Sequence, residues 1–549
     1  MILPDMKFAD GIRKHKQLQF GGLNHNVGAE DGELWDMKNL CSDDYPVLSV
    51  RKRRQLYRKL EKPNGLFAWK GLMWVDGADV YHDGVLIGEV EDSKKTFGAI
   101  GPYIVILPDK MCYHVETGDF LPLEAKWGRG EAKLAFTSGY LGGLSTAANC
   151  IVYRDDAHNW CDYFSVGDAV TISGCTADAD NNVTAVIREI DGNKLYFSEN
   201  QFRIVGNDVN LGPWVGHTEE GNVTIVREVP DLLQLCEDGN RLWGCSKDTV
   251  YASKLGDPFN WSVFDGLATD SWAVTPGSSG AFTGCCNFQG YPTFFKEDRI
   301  YKAYGSVPSE FSLVDSPYLG LMPGAERSLA SVSGVLFYLS GSGPMAYTGS
   351  VPQPIGEAFG TMRFAGGVGG SDGLKYYVCL ETAEGERRLC VYDAQKGMWH
   401  VEDALQAVAF CRHDGELYCL DASGQICLLG DVQRAPEGCV EETDLAWFAE
   451  FGDFAHEDPN HKGLGKLQLR LQMEEGSEVK ILVQYDSDGV WRLVRAVAGE
   501  SSKRNYYLPI IPRRCDHYRL RLEGAGRSRL YSLVRESYSG SERNAKYWR

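Results

Sequence analysis

Asp238-Gly239-Asn240-Arg241-Leu242-Trp243-Gly244 is the first of four related phrases that decide the fold. The others are Asp298-Arg299-Ile300-Tyr301-Lys302-Ala303-Tyr304, Ser333-Gly334-Val335-Leu336-Phe337-Tyr338-Leu339 and Asp414-Gly415-Glu416-Leu417-Tyr418-Cys419-Leu420. Each sets a turn residue first and then a strand in which apolar side chains alternate with polar or small ones, the two-residue period of a pleated strand. They fall within residues 231–430, where short apolar runs recur between Gly/Asp turns at roughly 35–45-residue spacing, which predicts propeller blades.

Upstream, Leu66-Phe67-Ala68-Trp69, Leu72-Met73-Trp74-Val75 and Ile104-Val105-Ile106-Leu107 continue the pattern, with turns at Lys70-Gly71, Asp76-Gly77 and Pro108-Asp109. Between about 125 and 228 the pattern breaks. The small-residue stretch 139–148 is too long for a blade connection, and the alternating runs around Val170, Val186, Tyr196 and Ile225 predict a separate small β-barrel. After about 441, Leu467-Gln468-Leu469-Arg470-Leu471-Gln472-Met473 and Tyr518-Arg519-Leu520-Arg521-Leu522 alternate with one polar face, as in an antiparallel sandwich. The expected fold is therefore mainly β: a propeller of about seven blades, two before an inserted barrel and five after it, followed by a C-terminal β-sandwich. The domains are 1–60, an extended arm or first strand; 61–124, the first blades; 125–228, the barrel; 229–440, the main blades; and 441–549, the sandwich and a polar tail from 537.

At 549 residues the chain exceeds one hydrophobic core and should divide into about three domains. A formal charge of −19 argues against a general nucleic-acid-binding surface and fits either plain solubility or an acidic lumen that DNA phosphates slide past. No apolar run approaches a membrane span, and Met1-Ile2-Leu3-Pro4-Asp5-Met6-Lys7 lacks a signal-peptide core, so folding in a reducing cytoplasm is expected. The sixteen Cys are scattered, several inside strands (Cys379, Cys390, Cys419, Cys427), and read as small buried hydrophobes; no CxxC pair supports zinc.

Motifs that carry chemistry are few. Asp178, Asp180, Asn181 and Asn182 look like a calcium-type oxygen cluster, but the Gly and terminal Glu of an EF-hand loop are missing, so a polar loop tip is expected. Ser487-Asp488-Gly489-Val490-Trp491 loosely matches the Asp-box turn of propeller glycosidases, once and outside the repeats. No HExxH, GxSxG or P-loop occurs, and the Gly-rich stretches 340–343 and 366–370 open no helix and read as loops. No catalytic, cofactor-binding or metal-binding residue is assigned, and an enzyme is not expected. Arg470, Arg519 and Arg521 are expected to form a basic stripe on the sandwich, either solvated or docked on an acidic neighbour.

The N-terminal segment carries Phe20-Gly21-Gly22-Leu23-Asn24, an acidic linker ending in Asn39-Leu40, and the exit Tyr45-Pro46-Val47-Leu48-Ser49-Val50-Arg51, which runs into the basic Arg51-Lys52-Arg53-Arg54. It has too little core of its own. It is expected to close the propeller or to grip a neighbouring subunit, with nucleic acid as a further reading of the basic cluster. This opening resembles the start of tail nozzle, tail hub and head-to-tail connector proteins of tailed bacteriophages, whose central part is a β-propeller. The resemblance implies a structural virion protein of the tail, assembled in the bacterial host cytoplasm. It implies copies in a hexameric ring against portal or other tail proteins, with genomic DNA passing unbound through the lumen. It implies no cofactor. The rival reading is a glycan-binding or glycan-cleaving propeller for host-surface recognition, with exposed Trp/Tyr beside paired carboxylates.

Overall fold

The computed structural model describes residues 12–26, 29–128, 134–140, 149–153, 157–198, 200–205, 214–219, 222–455, 461–499 and 501–539. The Met1–Lys7 opening, most of the 139–148 stretch and the tail from 540 lie outside them. The described residues are nearly all strand and turn, without an α-helix. The chain divides into two compact units, one of residues 1–68 with 322–549 and the other of residues 69–321.

Seven antiparallel up-and-down sheets follow one another along the chain. The first has strands 63–68, 72–76, 79–82 and 85–89; the second 96–100, 103–107, 111–114 and 120–122. The third has strands 234–238, 241–245, 250–252 and 272–274; the fourth 284–288, 291–295, 300–304 and 312–316. The fifth has strands 330–332, 335–340, 343–347 and 353–354; the sixth 364–371, 375–382, 387–393 and 398–401. The seventh takes 407–413, 416–421 and 425–429, then strand 55–59 from the N-terminal segment, with 440–441 at its edge. Inside each unit the first strands of successive sheets lie side by side: 234–238 beside 96–100 and 284–288, and 364–371 beside 330–332 and 407–413. These are propeller-type sheets, arranged as the inner strands of adjacent blades are.

The turn chemistry explains the hairpins. Gly239-Asn240, Gln289-Gly290, Ser333-Gly334 and Asp414-Gly415 each hold two successive left-handed residues between a first and a second strand. That conformation matches the twist of a two-residue hairpin. Three of the four phrases of the sequence sit at this turn. Asp298-Arg299 instead joins the second and third strands of the fourth sheet, whose equivalent turn is Gln289-Gly290. A turn residue followed by an alternating strand occurs at both hairpins, so the phrase alone could not fix its place in the sheet.

Residues 366–370 are a strand rather than the expected loop. Glycine there lets neighbouring first strands approach: a Cβ at Gly370 would lie 2.4 Å from Phe410 Cβ. The insertion, 125–227, forms a four-stranded and a five-stranded sheet around one apolar core that includes Trp127, Phe136, Trp160, Ile172 and Ile225.

The largest departure from expectation lies at the chain ends. The two C-terminal sheets also take strands from residues 12–50. One sheet runs 34–38, 446–451, 518–525, 478–485, 492–498. The other runs 40–41, 48–50, 528–539, 462–473, 504–509, with 12–17 also paired along 533–538. Alternation buries Leu467, Leu469 and Leu471 on one strand and Leu520 and Leu522 on another. Residues 12–50 therefore belong to the two C-terminal sheets, while strand 55–59 of the same 1–60 segment joins the seventh propeller-type sheet. Their short apolar runs complete sheets whose other strands lie more than 400 residues away.

Candidate functional site

A compact set of ionisable groups lies where the N-terminal segment crosses the sixth sheet and meets Glu442. Arg51 and Arg54 are buried. Arg51 donates from Nη1 and Nη2 to Glu442 at 2.7 and 3.1 Å, and from Nε to Asn39 Oδ1 at 2.7 Å. Arg54 donates to Glu402 and Asp403, both at 2.7 Å, and the Arg54 and Glu442 backbones pair at 2.9 Å. The bidentate Arg51–Glu442 pair fixes orientation as well as charge, and Arg54 bridges two carboxylates. Outward from this seam Arg53 pairs with Glu474 at 2.9 Å and Lys52 with Asp431. All four basic residues of the 51–54 cluster are thus engaged within the chain. The acids opposite them, from buried Glu402 through half-buried Asp403, Glu442 and Glu474 to exposed Asp431, account for their density.

Next to the seam, Cys41, Asp43, Lys375, Tyr377 and His400 line a small enclosed cavity. Asp43 pairs with Lys375, and Asp393 accepts from Ser42 at 2.6 Å and from Lys396 at 3.0 Å. Burial, reinforced by Lys375, lowers His400 to about 4. Burial and the Asp43 charge push the Cys41 thiol up to about 12. A nucleophilic Cys/His pair needs a lowered thiol and a basic imidazole, and here both groups are held neutral. Burial alone would raise the Asp403 carboxyl, but the Arg54 charge outweighs it and holds the group below the usual range. The Glu442 carboxyl is likewise lowered against its burial by the hydrogen bonds and charge of Arg51. The chemistry of this region is that of a structural tie.

A second feature lies within residues 69–321. Asp168 Oδ2 accepts from Arg227 at 2.6 Å, and its Oδ1 accepts from Asn260 at 3.0 Å. Asn260 in turn accepts from the Ala169 amide at 2.9 Å, which latches the insertion to the loop after the third strand of the third sheet. Beside this latch opens a groove of ≈ 730 Å³. Tyr103 meets His114 and Phe259 edge-on, at 4.8 and 5.7 Å between ring centres, and Asp119, Asp162 and Asp257 lie along it. Asp257 is tied to the Phe259 amide and Asn260, both at 2.8 Å. Burial, with the Cys112, Asp257 and Asp119 charges, raises the Tyr103 phenol, which stays protonated.

The remaining sequence candidates resolve locally. Asp178 caps a short 3₁₀ turn, Asp180 pairs with Arg203 at 2.9 Å, Asn181 accepts from the Arg203 amide at 2.7 Å, and Asn182 accepts from the Cys175 amide at 2.9 Å. They form a turn network, and among the described residues no group of three or more His, Cys, Asp or Glu is placed to hold a metal ion. Asp488 accepts from the Val490 amide at 3.0 Å and pairs with Arg492 at 2.7 Å inside a hairpin. All sixteen Cys are free thiols, ten of them buried.

The expected stripe of Arg470, Arg519 and Arg521 is not one surface. Arg470 lies on the sheet containing 462–473, and Arg519 and Arg521 on the other. Glu450 pairs with both Arg519 and Arg521, and Asp453 and Glu523 complete their neutralisation. Period-two alternation gives the face within a strand but not the sheet to which the strand belongs. The latch and the groove were missed, because Asp168, Arg227 and Asn260 are too far apart in sequence to form a motif; the Asp257-Pro258-Phe259-Asn260 turn was the one local signal.

No family model and no curated protein matches the chain. Among solved structures, it is similar to the computationally designed Ika8 protein at 13% identity and TM-score 0.33, covering 68% of this chain and 99% of that one. It is similar to BamB from Moraxella catarrhalis at 9% identity and TM-score 0.34, covering 71% and 99%. An exo-beta-1,3-galactanase from Phanerochaete chrysosporium aligns at 9% identity and TM-score 0.21, over 55% and 94%. At these scores the likenesses carry no argument about function. No helix among the described residues is long and apolar enough to cross a membrane.

Proposed function

We propose that this chain is a structural subunit of a bacteriophage tail, a nozzle, hub or connector component whose copies form a ring around the DNA exit channel. In this reading the seven sheets are the blades of one propeller, the insertion is a small closed barrel, and the two C-terminal sheets are a sandwich. The observation that carries it is the use made of the N-terminal motif. Leu23 donates to the Trp399 carbonyl at 2.7 Å, Phe20 donates to the Pro46 carbonyl at 3.0 Å, and Arg51 enters the buried seam. The residues that bear the resemblance are thus those that clip the sixth sheet to the composite two-sheet domain, so the motif works as architecture.

The ionisable groups of the seam and of the 178–182 turn serve structural bonds, which fits a scaffold role. The glycan reading draws on the groove, where Tyr103 and Phe259 lie beside Asp119 and Asp162. Electron microscopy of the purified protein and of its virion tests the proposal. Rings in solution and a matching density in the tail are the expected results; absence from the particle would overturn the reading.

A further inference from the structure

The groove beside the Asp168–Arg227 latch, at ≈ 730 Å³, has the size of a small-molecule site, roughly 300–1,000 Å³. Its charges are of both signs. Arg227 is fully engaged: it donates to Asp168 at 2.6 Å and to the Leu123 carbonyl at 3.2 Å, and its guanidinium carbon lies 5.2 Å from the centre of the Phe259 ring. Asp257 is held in turn by the Phe259 amide and Asn260. Lys126 and Asp162 are exposed along the groove, and neither side chain has a hydrogen-bond or ion-pair partner among the described residues. Neutral groups add capacity of both kinds. The Thr117 amide donates to His114 Nδ1 at 3.0 Å, so the neutral imidazole carries its proton on Nε2 and offers a donor. The Tyr103 hydroxyl stays protonated and can both donate and accept. Tyr103 is pinned edge-on to His114 and Phe259, so aromatic surface and polar atoms form one preorganised wall.

We propose that this groove binds a neutral saccharide. An anion entering it would meet Asp162 and a cation would meet Lys126, whereas a sugar hydroxyl donates and accepts at once and can use both. A purely apolar ligand would strip water from those two charges and return no hydrogen bond. The C–H faces of a pyranose ring need apolar surface, which half-buried Tyr103 and Phe259 supply and exposed Leu121 and Val166 extend. The mixed charge of the groove is thus the feature that selects the ligand class. This inference does not rest on the ring reading: a saccharide subsite serves a ring subunit and a single chain alike, and its failure leaves the ring to be judged by microscopy.

The test is titration of the full chain, followed by ligand-observed NMR, with short neutral oligosaccharides built from glucose, galactose or mannose. Uronic-acid and glucosamine oligosaccharides serve as the anionic and cationic comparisons. At least one neutral oligosaccharide is expected to bind with a Kd tighter than about 10 mM, and ahead of both charged sets. Two variants locate the site, with circular dichroism to check that each folds. Lys126→Ala/Asp162→Ala changes only exposed side chains, and Tyr103→Leu removes the ring and hydroxyl but keeps apolar bulk. Each should weaken binding at least about tenfold, the value of a lost hydrogen bond or two. Binding that the Lys126→Ala/Asp162→Ala variant leaves unchanged would place the sugar elsewhere and overturn the proposal. So would binding of a charged set in preference to every neutral one, or no binding by any neutral oligosaccharide.

Discussion

Gly22 passes so close to Trp399 that a Cβ on it would lie 2.2 Å from the Trp399 carbonyl oxygen and 3.1 Å from Met398 Cβ. That oxygen accepts the Leu23 amide, so the backbone cannot withdraw without losing the bond. Gly22→Ala should therefore destabilise the clip by roughly 1–3 kcal/mol, as overpacking against fixed atoms does. Thermal melts check this, with faster proteolysis within 12–50 as the local signature. Gly277→Ala, where a Cβ meets nothing within 4 Å, should leave the melt unchanged.

Removing one partner from the seam should be costly. Arg54→Ala leaves buried Glu402 and half-buried Asp403 with Arg51, at 3.6 and 3.7 Å, in place of their hydrogen-bonded counter-charge, at a loss of roughly 3 kcal/mol. Neutralising the acids in the same chain, as Glu402→Gln/Asp403→Asn, should recover part of that loss. Urea titration of the single and combined variants measures the difference. Equal losses in both would show that the seam is not held by charge.

Acidification should unfold the protein partly through His400. Its folded value of about 4 lies below the ordinary 6.5, because burial and Lys375 disfavour its charge while Asp393 and Asp43 only partly compensate. The unfolded chain binds the proton more tightly. The stabilisation is therefore complete above 6.5 and is lost as pH falls toward 4, on the order of 3 kcal/mol in all. His400→Gln should flatten the stability curve across that window. The slope left at lower pH comes from carboxylates whose folded values are lowered, Asp403, Glu442, Asp43 and Asp393 among them, and whose stabilisation disappears only as they protonate.

Thiol labelling should be selective. Cys161 is the one exposed Cys. Cys112 and Cys150 are pushed up to about 12 by burial. Native protein treated with a maleimide should label Cys161 first, and Cys161→Ser should remove that fast phase; unfolding should release all sixteen. Rapid native labelling of Cys112 or Cys150 would contradict the packing of their sheets.

The strands were legible because each hairpin advertises itself within a few residues: Asp414-Gly415 can be read as a left-handed turn without knowing anything else about the chain. The same locality explains the errors. The Gly366–Gly370 run reads as a loop unless Phe410 is known to press against it. Arg51 and Arg54 read as a surface patch unless Glu402, Asp403 and Glu442 are known to face them. A basic stripe of Arg470, Arg519 and Arg521 follows from alternation and fails because pairing assigns them to different sheets. Information about one strand is in the strand; information about its neighbour is elsewhere in the chain.

The pairing of residues 12–17 with 533–538 has a consequence for biosynthesis. A ribosome adding 5–20 residues per second takes about half a minute to nearly two minutes to cover the intervening 500 or so residues. During that time the N-terminal strands exist without their partners, while the hairpins between them are able to close. The composite domain therefore closes later than the hairpins between its strands, and any surface it carries becomes available only once strand 528–539 has been made. An assembly built through that domain would exclude copies that stop short of that strand without any separate proofreading step.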